Sequence, residues 1–156
     1  MPALPPGVHE IPLCLDRLPE LIAFHTQAWA GLEGARSWQD VEQRLVREIQ
    51  EAAVVESGVT LEQNEQIIGL CYGHVPDTST AFIDELVVSP SLYGRGLGRY
   101  LLVRCAQRLK ERGGEECRSC ALSTYRTLSR ALRLYYQLGF EREVLWTEAR
   151  LYCPAG

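Results

Sequence analysis

Residues 82–109, FIDELVVSPSLYGRGLGRYLLVRCAQRL, constrain the fold of this chain more than any other stretch. Phe82 to Val88 reads as an apolar strand, Ser89, Pro90 and Ser91 as a turn, and Gly94, Gly96 and Gly98 as a loop with glycine at every second position. Leu97, Leu101, Leu102, Cys105, Ala106 and Leu109 then recur as the apolar side of a helix that Gly113 and Gly114 stop. Alternate glycines let successive backbone N–H groups turn toward one point, and the helix that begins there adds the positive end of its dipole. Arg95 and Arg99 add fixed positive charge. The stretch reads as a phosphate cradle at the end of a sheet.

The elements around it follow from periodicity. Leu18, Leu21, Ile22, His25 and Trp29 fall on one face of a helix, which Gly31 and Gly34 end. Ser37, with Asp40 in the capping-box position, opens a second helix whose buried stripe is Trp38, Val41, Leu45 and Ile49. From Ala52 the period changes to two. Val59 and Leu61 alternate with polar neighbours, Gln63 to Gln66 read as a hairpin turn and Ile67 to Val75 as the returning strand. With Phe82 to Val88 these make an antiparallel meander. Cys120 to Thr124 is a strand joined to the meander by a crossover helix, which makes a parallel pair. Leu128, Ala131, Leu132, Tyr135 and Leu138 form a further helical stripe, and Phe140 to Cys153 supplies two more strands.

Length suits one buried domain, 1–156, rather than two. A net charge of -4 argues against nucleic acid as the main partner and suits cationic substrates. No apolar run is long enough for a membrane span, and MPALPPGVHE lacks the features of a signal peptide, so a cytoplasmic protein is expected. Of six cysteines, Cys117 and Cys120 have C-x-x-C spacing but lack a second pair or a histidine at ligand distance. The expectation is no metal and buried reduced thiols. Ser-His-Asp ordering, HExxH, a Walker loop and the dinucleotide glycine pattern are all missing.

ELVVSPSLYGRGLGRYLL, followed some thirty residues later by ALRLYYQLGFE, resembles the acetyl-CoA-binding motif and the later helix–strand motif of the GNAT superfamily of acyltransferases. The order of elements matches as well. The resemblance implies an α/β (α+β) fold, with a mixed central sheet of about six to seven strands and helices on both faces. It implies an N-acetyltransferase that uses acetyl-CoA as co-substrate. By resemblance, the CoA pyrophosphate falls to the backbone of Tyr93, Gly94, Arg95, Gly96, Leu97 and Gly98, with Arg99 beside it. Splaying of the strand before the loop, a family trait, would free an N–H within Leu86, Val87 and Val88 to hold the thioester carbonyl. Tyr135 occupies the tyrosine of the family's Tyr-x-x-x-Gly-Phe motif, where the phenol donates its proton to the leaving thiolate. Dimers are common in the superfamily, and a homodimer is admitted.

Three positions depart from the family pattern. Tyr93 stands where arginine or glutamine is usual. Leu128 stands in place of an asparagine that touches CoA, with Ser129 one residue on as the remaining polar candidate. Ser123 stands where some members carry a glutamate base.

An alkylamine is mostly protonated at neutral pH, so a carboxylate that takes its proton is useful. Asp84 and Glu85 are adjacent on the strand, and strict alternation sends them to opposite faces. Asp84 is favoured as the base, because some aminoglycoside acetyltransferases of the superfamily carry one in a similar Asp-x-Leu context. Glu85 is the reserve. His74 and Tyr72 share one face of the neighbouring strand and could line an acceptor pocket. The expected acceptor is a small-molecule amine: aminoglycoside-like, polyamine-like or an amino acid. The alternatives are a protein N-terminal or lysine acetyltransferase, and a CoA-binding regulatory domain without catalysis. Segment 24–40 would wall the acceptor side in either enzyme.

Overall fold

The computed structural model describes residues 2–30, 38–76, 80–125, 129–144 and 148–154. Among the described residues, seven strands form one mixed sheet in the order β1-β2-β3-β4-β5-β7-β6. They are β1 (Val8–Pro12), β2 (Val59–Gln63), β3 (Gln66–His74), β4 (Thr80–Val88), β5 (Ser119–Tyr125), β6 (Glu141–Val144) and β7 (Glu148–Pro154). The helices are α1 (Leu18–Trp29), α2 (Trp38–Ile49), α3 (Ala52–Ser57), α4 (Leu97–Gly113) and α5 (Ser129–Gln137).

The meander is present as expected, with β2, β3 and β4 antiparallel in sequence. Its first turn is a two-residue connection, Asn64 and Glu65, both at positive φ (52° and 64°), a geometry whose twist matches the paired strands. The parallel pair, β4 with β5, is joined through α4. Two buried clusters cover the two sides of the sheet. One unites Ile83, Val88, Leu101, Cys105, Leu109 and Tyr135, and the other unites Leu21, Leu45, Ile49, Leu70, Tyr72 and Val87. The helical stripes read from the sequence account for both. Leu21, His25 and Ala28 of α1 are buried, as are Leu97, Leu101, Leu102, Cys105 and Leu109 of α4. The proposed cap at Ser37 and the glycines at 31 and 34 lie outside the described residues, as do the side chains of Trp38 and Val41.

Two segments differ from the sequence expectation. The strand period does not begin at Ala52, because residues 52–57 form α3 and the extended run starts at Val59. Val54 and Ser57 are buried one helical turn apart, and the Ser57 hydroxyl donates to the Gly73 carbonyl at 2.8 Å, which ties the short helix to β3. The N-terminal segment also supplies a strand. β1 is short and proline-flanked, with little periodicity of its own, and it pairs with β2 along Val8–Pro12. Glu10 on β1 accepts from Tyr100 Oη at 2.5 Å, Arg104 Nε at 3.1 Å and Arg108 Nη2 at 2.5 Å, so the edge strand is fastened to α4. Among the described residues, no helix is long and apolar enough to cross a membrane.

β3 and β4 approach so closely at Gly73 that a Cβ there would stand 2.2 Å from the Phe82 carbonyl oxygen and 2.9 Å from Leu109 Cδ1. Neither the paired backbone nor α4 can yield without opening the sheet. Gly73→Ala is therefore expected to destabilise the fold by roughly 3 kcal/mol or more, at the severe end for a single substitution. Urea denaturation followed by circular dichroism measures this, and a loss below about 1 kcal/mol would mean that the strands are not held this close.

Candidate active site

The site is built on β4, which is hydrogen-bonded differently along its two edges. Toward β3 its pairing continues to Val88 opposite Gly69. Toward β5 it runs only from Thr80 opposite Ser119 to Ile83 opposite Leu122, and then the strands part. Past that point the inner edge of β4 has no strand partner among the described residues. The Ser89 N–H donates to the Ile68 carbonyl at 2.8 Å, so alternation assigns Val87 and Glu85 to the β3 edge as well. The N–H groups of Leu86 and Val88 then face the gap. The resemblance implied a splay of this strand, and the pairing of β4 with β5 ends at Ile83.

A bulge corrects the reading of the two acids. Tyr72 pairs with Glu85 and Gly73 with Ile83, which leaves Asp84 as an extra residue on β4. Both carboxylates consequently lie on the side of the sheet that α1 and α2 cover, instead of on opposite faces. Glu85 is buried and accepts from His25 Nε2 at 2.9 Å and from Arg44 Nη2 at 2.8 Å. Asp84 Oδ2 lies 2.6 Å from Nδ1 of His74, whose ring packs against Phe82 at 5.9 Å. Tyr72 and His74 do share this side, but Tyr72 is fully buried and its hydroxyl donates to Glu48 Oε2 at 2.7 Å.

The two acids differ in what surrounds them. Burial pushes the Glu85 carboxyl up, but the hydrogen bonds and charges of His25 and Arg44 outweigh it and hold the group below the usual carboxylate range. For Asp84 burial dominates. His74 draws it down, Glu48 pushes it up and Arg44 draws it down, and the result is a carboxyl pushed up to about 6. Asp84 is thus poised near neutrality while Glu85 is held as a fixed anion.

At the far end of β4, a 3₁₀ turn over Pro90–Leu92 delivers the chain to the glycine loop. Gly94 and Gly96 both take the left-handed conformation, at φ 83° and 80°, which glycine adopts without strain. The first bond of α4 is the Tyr100 N–H to the Gly96 carbonyl at 3.0 Å, so the N–H groups of Leu97, Gly98 and Arg99 precede the helical ladder. A Cβ on Gly96 would meet no atom of the described residues within 4 Å, which leaves room for a bulky anion. Gly98 serves packing instead, since a Cβ there would stand 3.3 Å from Leu134 of α5. Tyr93, Arg95 and Arg99 are exposed, whereas Leu97 is buried under the helix. The loop fits a diphosphate.

Tyr135 on α5 is buried, with its ring 5.9 Å from that of Phe140. Burial, with Cys71 and Glu85 nearby, pushes its phenol above the ordinary range. The phenol accordingly stays protonated at any physiological pH. Tyr136, its neighbour, is exposed. Ser129 is the first residue of α5, and its side chain lies outside the described set, as do Leu128 and the side chain of Ser123. Cys71, Cys105 and Cys117 are buried free thiols, and no group of three metal-binding side chains occurs among the described residues.

Sequence reasoning did not find Arg44, His25 or Glu48 as part of this cluster. Arg44 and Glu48 are visible as an i,i+4 pair on α2, but nothing in the sequence indicates that β4 places a buried acid beneath them. Arg130 was also missed. Its guanidinium lies over the Tyr93 ring, 5.2 Å from the centroid.

The family model described as "Acetyltransferase (GNAT) family" matches residues 20–140. A sequence comparison with curated proteins gave no significant match. Among solved structures, the chain is similar to a PaiA N-acetyltransferase from Thermoplasma acidophilum in complex with coenzyme A, with a TM-score of 0.78 and 18% identity over 94% of this chain and 98% of that one. It is similar to the ribosomal-protein-S18-alanine N-acetyltransferase of Escherichia coli, with a TM-score of 0.75 and 20% identity over 96% and 94% of the two chains. It also matches a chain of the NatC complex bound to Gag peptide and CoA, with a TM-score of 0.71 and 19% identity over 96% and 99%. At such identities these likenesses show the fold.

The buried Glu85 cluster yields a stability prediction. Glu85→Ala leaves Arg44 and His25 without their shared acceptor and should destabilise the protein by about 3–5 kcal/mol. Because the folded pKa of Glu85 is depressed, its contribution is present above the unfolded value of 4.5 and is lost as pH falls through the folded value. Urea midpoints at pH 7 and pH 4 should therefore separate wild type from variant more at pH 7. Equal separation at both would contradict the fixed-anion assignment.

Proposed function

Because the chain belongs to the acetyltransferase (GNAT) family, a family of acyltransferases that take acetyl-CoA as co-substrate, we propose that it transfers acetyl directly to a primary amine of a small molecule. Aminoglycoside-like and polyamine-like compounds and amino acids are the acceptor classes in view. The observation that carries this reading is the bulge that brings Asp84, poised near neutrality, to the strand whose Leu86 and Val88 amides face the gap.

Acetyl-CoA, when bound, supplies an activated thioester. The N–H groups of Leu97, Gly98 and Arg99, with the flexible turns at Gly94 and Gly96, hold its diphosphate, and Arg95 and Arg99 neutralise charge there. Tyr93 contributes to the loop through its backbone. The N–H of Leu86 or Val88 stabilises negative charge developing on the carbonyl oxygen, a contribution worth about 3 kcal/mol for one such donor. Val87, bonded to β3, supplies packing on the opposite side.

Asp84 takes the proton from the ammonium. Its pKa of about 6 leaves it mostly ionised at pH 7, and its side chain is 13% exposed, so a slender amine reaches it. Glu85, held ionised by its contacts with His25 and Arg44, acts as a fixed charge beside the acceptor. Tyr135 returns a proton to the departing thiolate.

A peptide N-terminus is the second reading. Its support is the likeness to an acetyltransferase named for ribosomal-protein alanine and to a complex holding a peptide. Thiol release from acetyl-CoA, measured over a panel of polyamines, aminoglycosides, amino acids and short peptides, separates the two. Release with small amines alone supports the first reading, release with peptides alone the second, and no release with any amine contradicts both.

The acid limb of the rate profile tests the base. Protonation of Asp84 removes the proton acceptor, so kcat/KM with the best amine should fall as pH drops through about 6. Asp84→Asn should lower the rate by about 10²–10⁴-fold and abolish that limb. A variant that keeps both rate and limb would remove Asp84 from the mechanism.

A further inference from the structure

Position 93 carries tyrosine where a loop of this kind benefits from a cation, yet the structure returns a cation to that place from another element. Arg130, one residue into α5, lays its guanidinium over the exposed Tyr93 ring at 5.2 Å from the centroid. The same side chain comes within 3.8 Å, through Nη1, of where a Cβ of Gly94 would stand, so its charge sits against the backbone of the glycine loop. Stacking on an aromatic face orients a guanidinium while leaving its edge N–H groups free for an acceptor. Among the described residues Arg130 has no carboxylate partner, in contrast to Arg17, Arg44, Arg104, Arg108 and Arg112, each of which is paired with a glutamate. An unneutralised, oriented guanidinium at the rim of an N–H cradle, on a chain of net charge -4, is placed for a phosphate.

We infer that Arg130 is a phosphate-binding residue of the co-substrate site and that Tyr93 is the positioning residue that holds it over the loop. The inference rests on the reading of the loop as the CoA cradle. It assigns the Tyr93 side chain a role beyond its backbone, and it explains how the loop functions without arginine or glutamine at position 93. Because the guanidinium reaches the loop from α5, CoA binding also links α5, which carries Tyr135, to the start of α4. The ligand chemistry is a phosphate of the nucleotide half of CoA, either the diphosphate or the 3′-phosphate.

CoA and dephospho-CoA titrated calorimetrically into the full chain test this. Arg130→Ala should weaken CoA binding about tenfold, corresponding to one charge-assisted contact, and should reduce its dependence on salt. Tyr93→Phe keeps the ring and should bind CoA as wild type does. Tyr93→Ala should weaken binding, and the double variant should be no weaker than Arg130→Ala, because both changes remove the same contact. A loss confined to CoA identifies the 3′-phosphate, and a loss shared with dephospho-CoA identifies the diphosphate; either supports the inference. Unchanged CoA affinity in Arg130→Ala overturns it, and additive losses in the double variant overturn the role of Tyr93. Gly96→Glu, which places a carboxylate in the cradle, separates this failure from that of the loop. If it too binds CoA normally, the cradle reading itself is wrong.

Discussion

The acyl-transfer chemistry proposed for this protein depends on β4 losing one hydrogen-bonding neighbour halfway along its length. Up to Ile83 the strand is an interior member of the sheet, paired on both edges. Beyond it, β3 alone among the described strands pairs with the backbone, and the amides of Leu86 and Val88 face the gap. Unpaired interior backbone is costly when it is also dry. A sheet therefore keeps such a gap only where water or a ligand fills it. The gap makes β4 a scaffold with one rigid edge and one reactive edge.

The bulge at Asp84 acts on the same strand at the point where β5 departs. An extra residue locally twists the strand and aims two consecutive acids to one side. Their environments then diverge, because Glu85 meets Arg44 and His25 while Asp84 meets one histidine and substantial burial. Adjacent carboxylates with separated pKa values are a physical basis for distinct roles, one as a fixed charge and one as a proton acceptor. At the other end of β4, the left-handed Gly94 and Gly96 turn the backbone into the start of α4. The oxyanion donors, base and phosphate cradle proposed here are thus spaced along nine residues of strand and the loop that follows it.

Much of this was legible in the sequence because it is local. The glycine spacing, the apolar face of α4, the Asn64–Glu65 hairpin and the parallel crossover all follow from short-range patterns with direct physical causes. The strand β1 was not legible, since its five residues, the last of them a proline, acquire their meaning only when Glu10 reaches three side chains of α4. Helix α3 was obscured by valines that suit either period. The facing of Asp84 and Glu85 was misread, because alternation is the default and a bulge arises from the register of two distant strands. Arg130 and Tyr93, 37 positions apart in the sequence (130 − 93), meet only after α5 docks beside the loop.

Amide hydrogen exchange at β4, resolved by NMR with and without acetyl-CoA, tests the central claim most directly. The account predicts that Leu86 and Val88 exchange rapidly in the free protein and become protected when acetyl-CoA binds, while Val87, bonded to β3, is protected in both states. Protection of Leu86 and Val88 in the free protein, or rapid exchange at both in the presence of saturating acetyl-CoA, would contradict it.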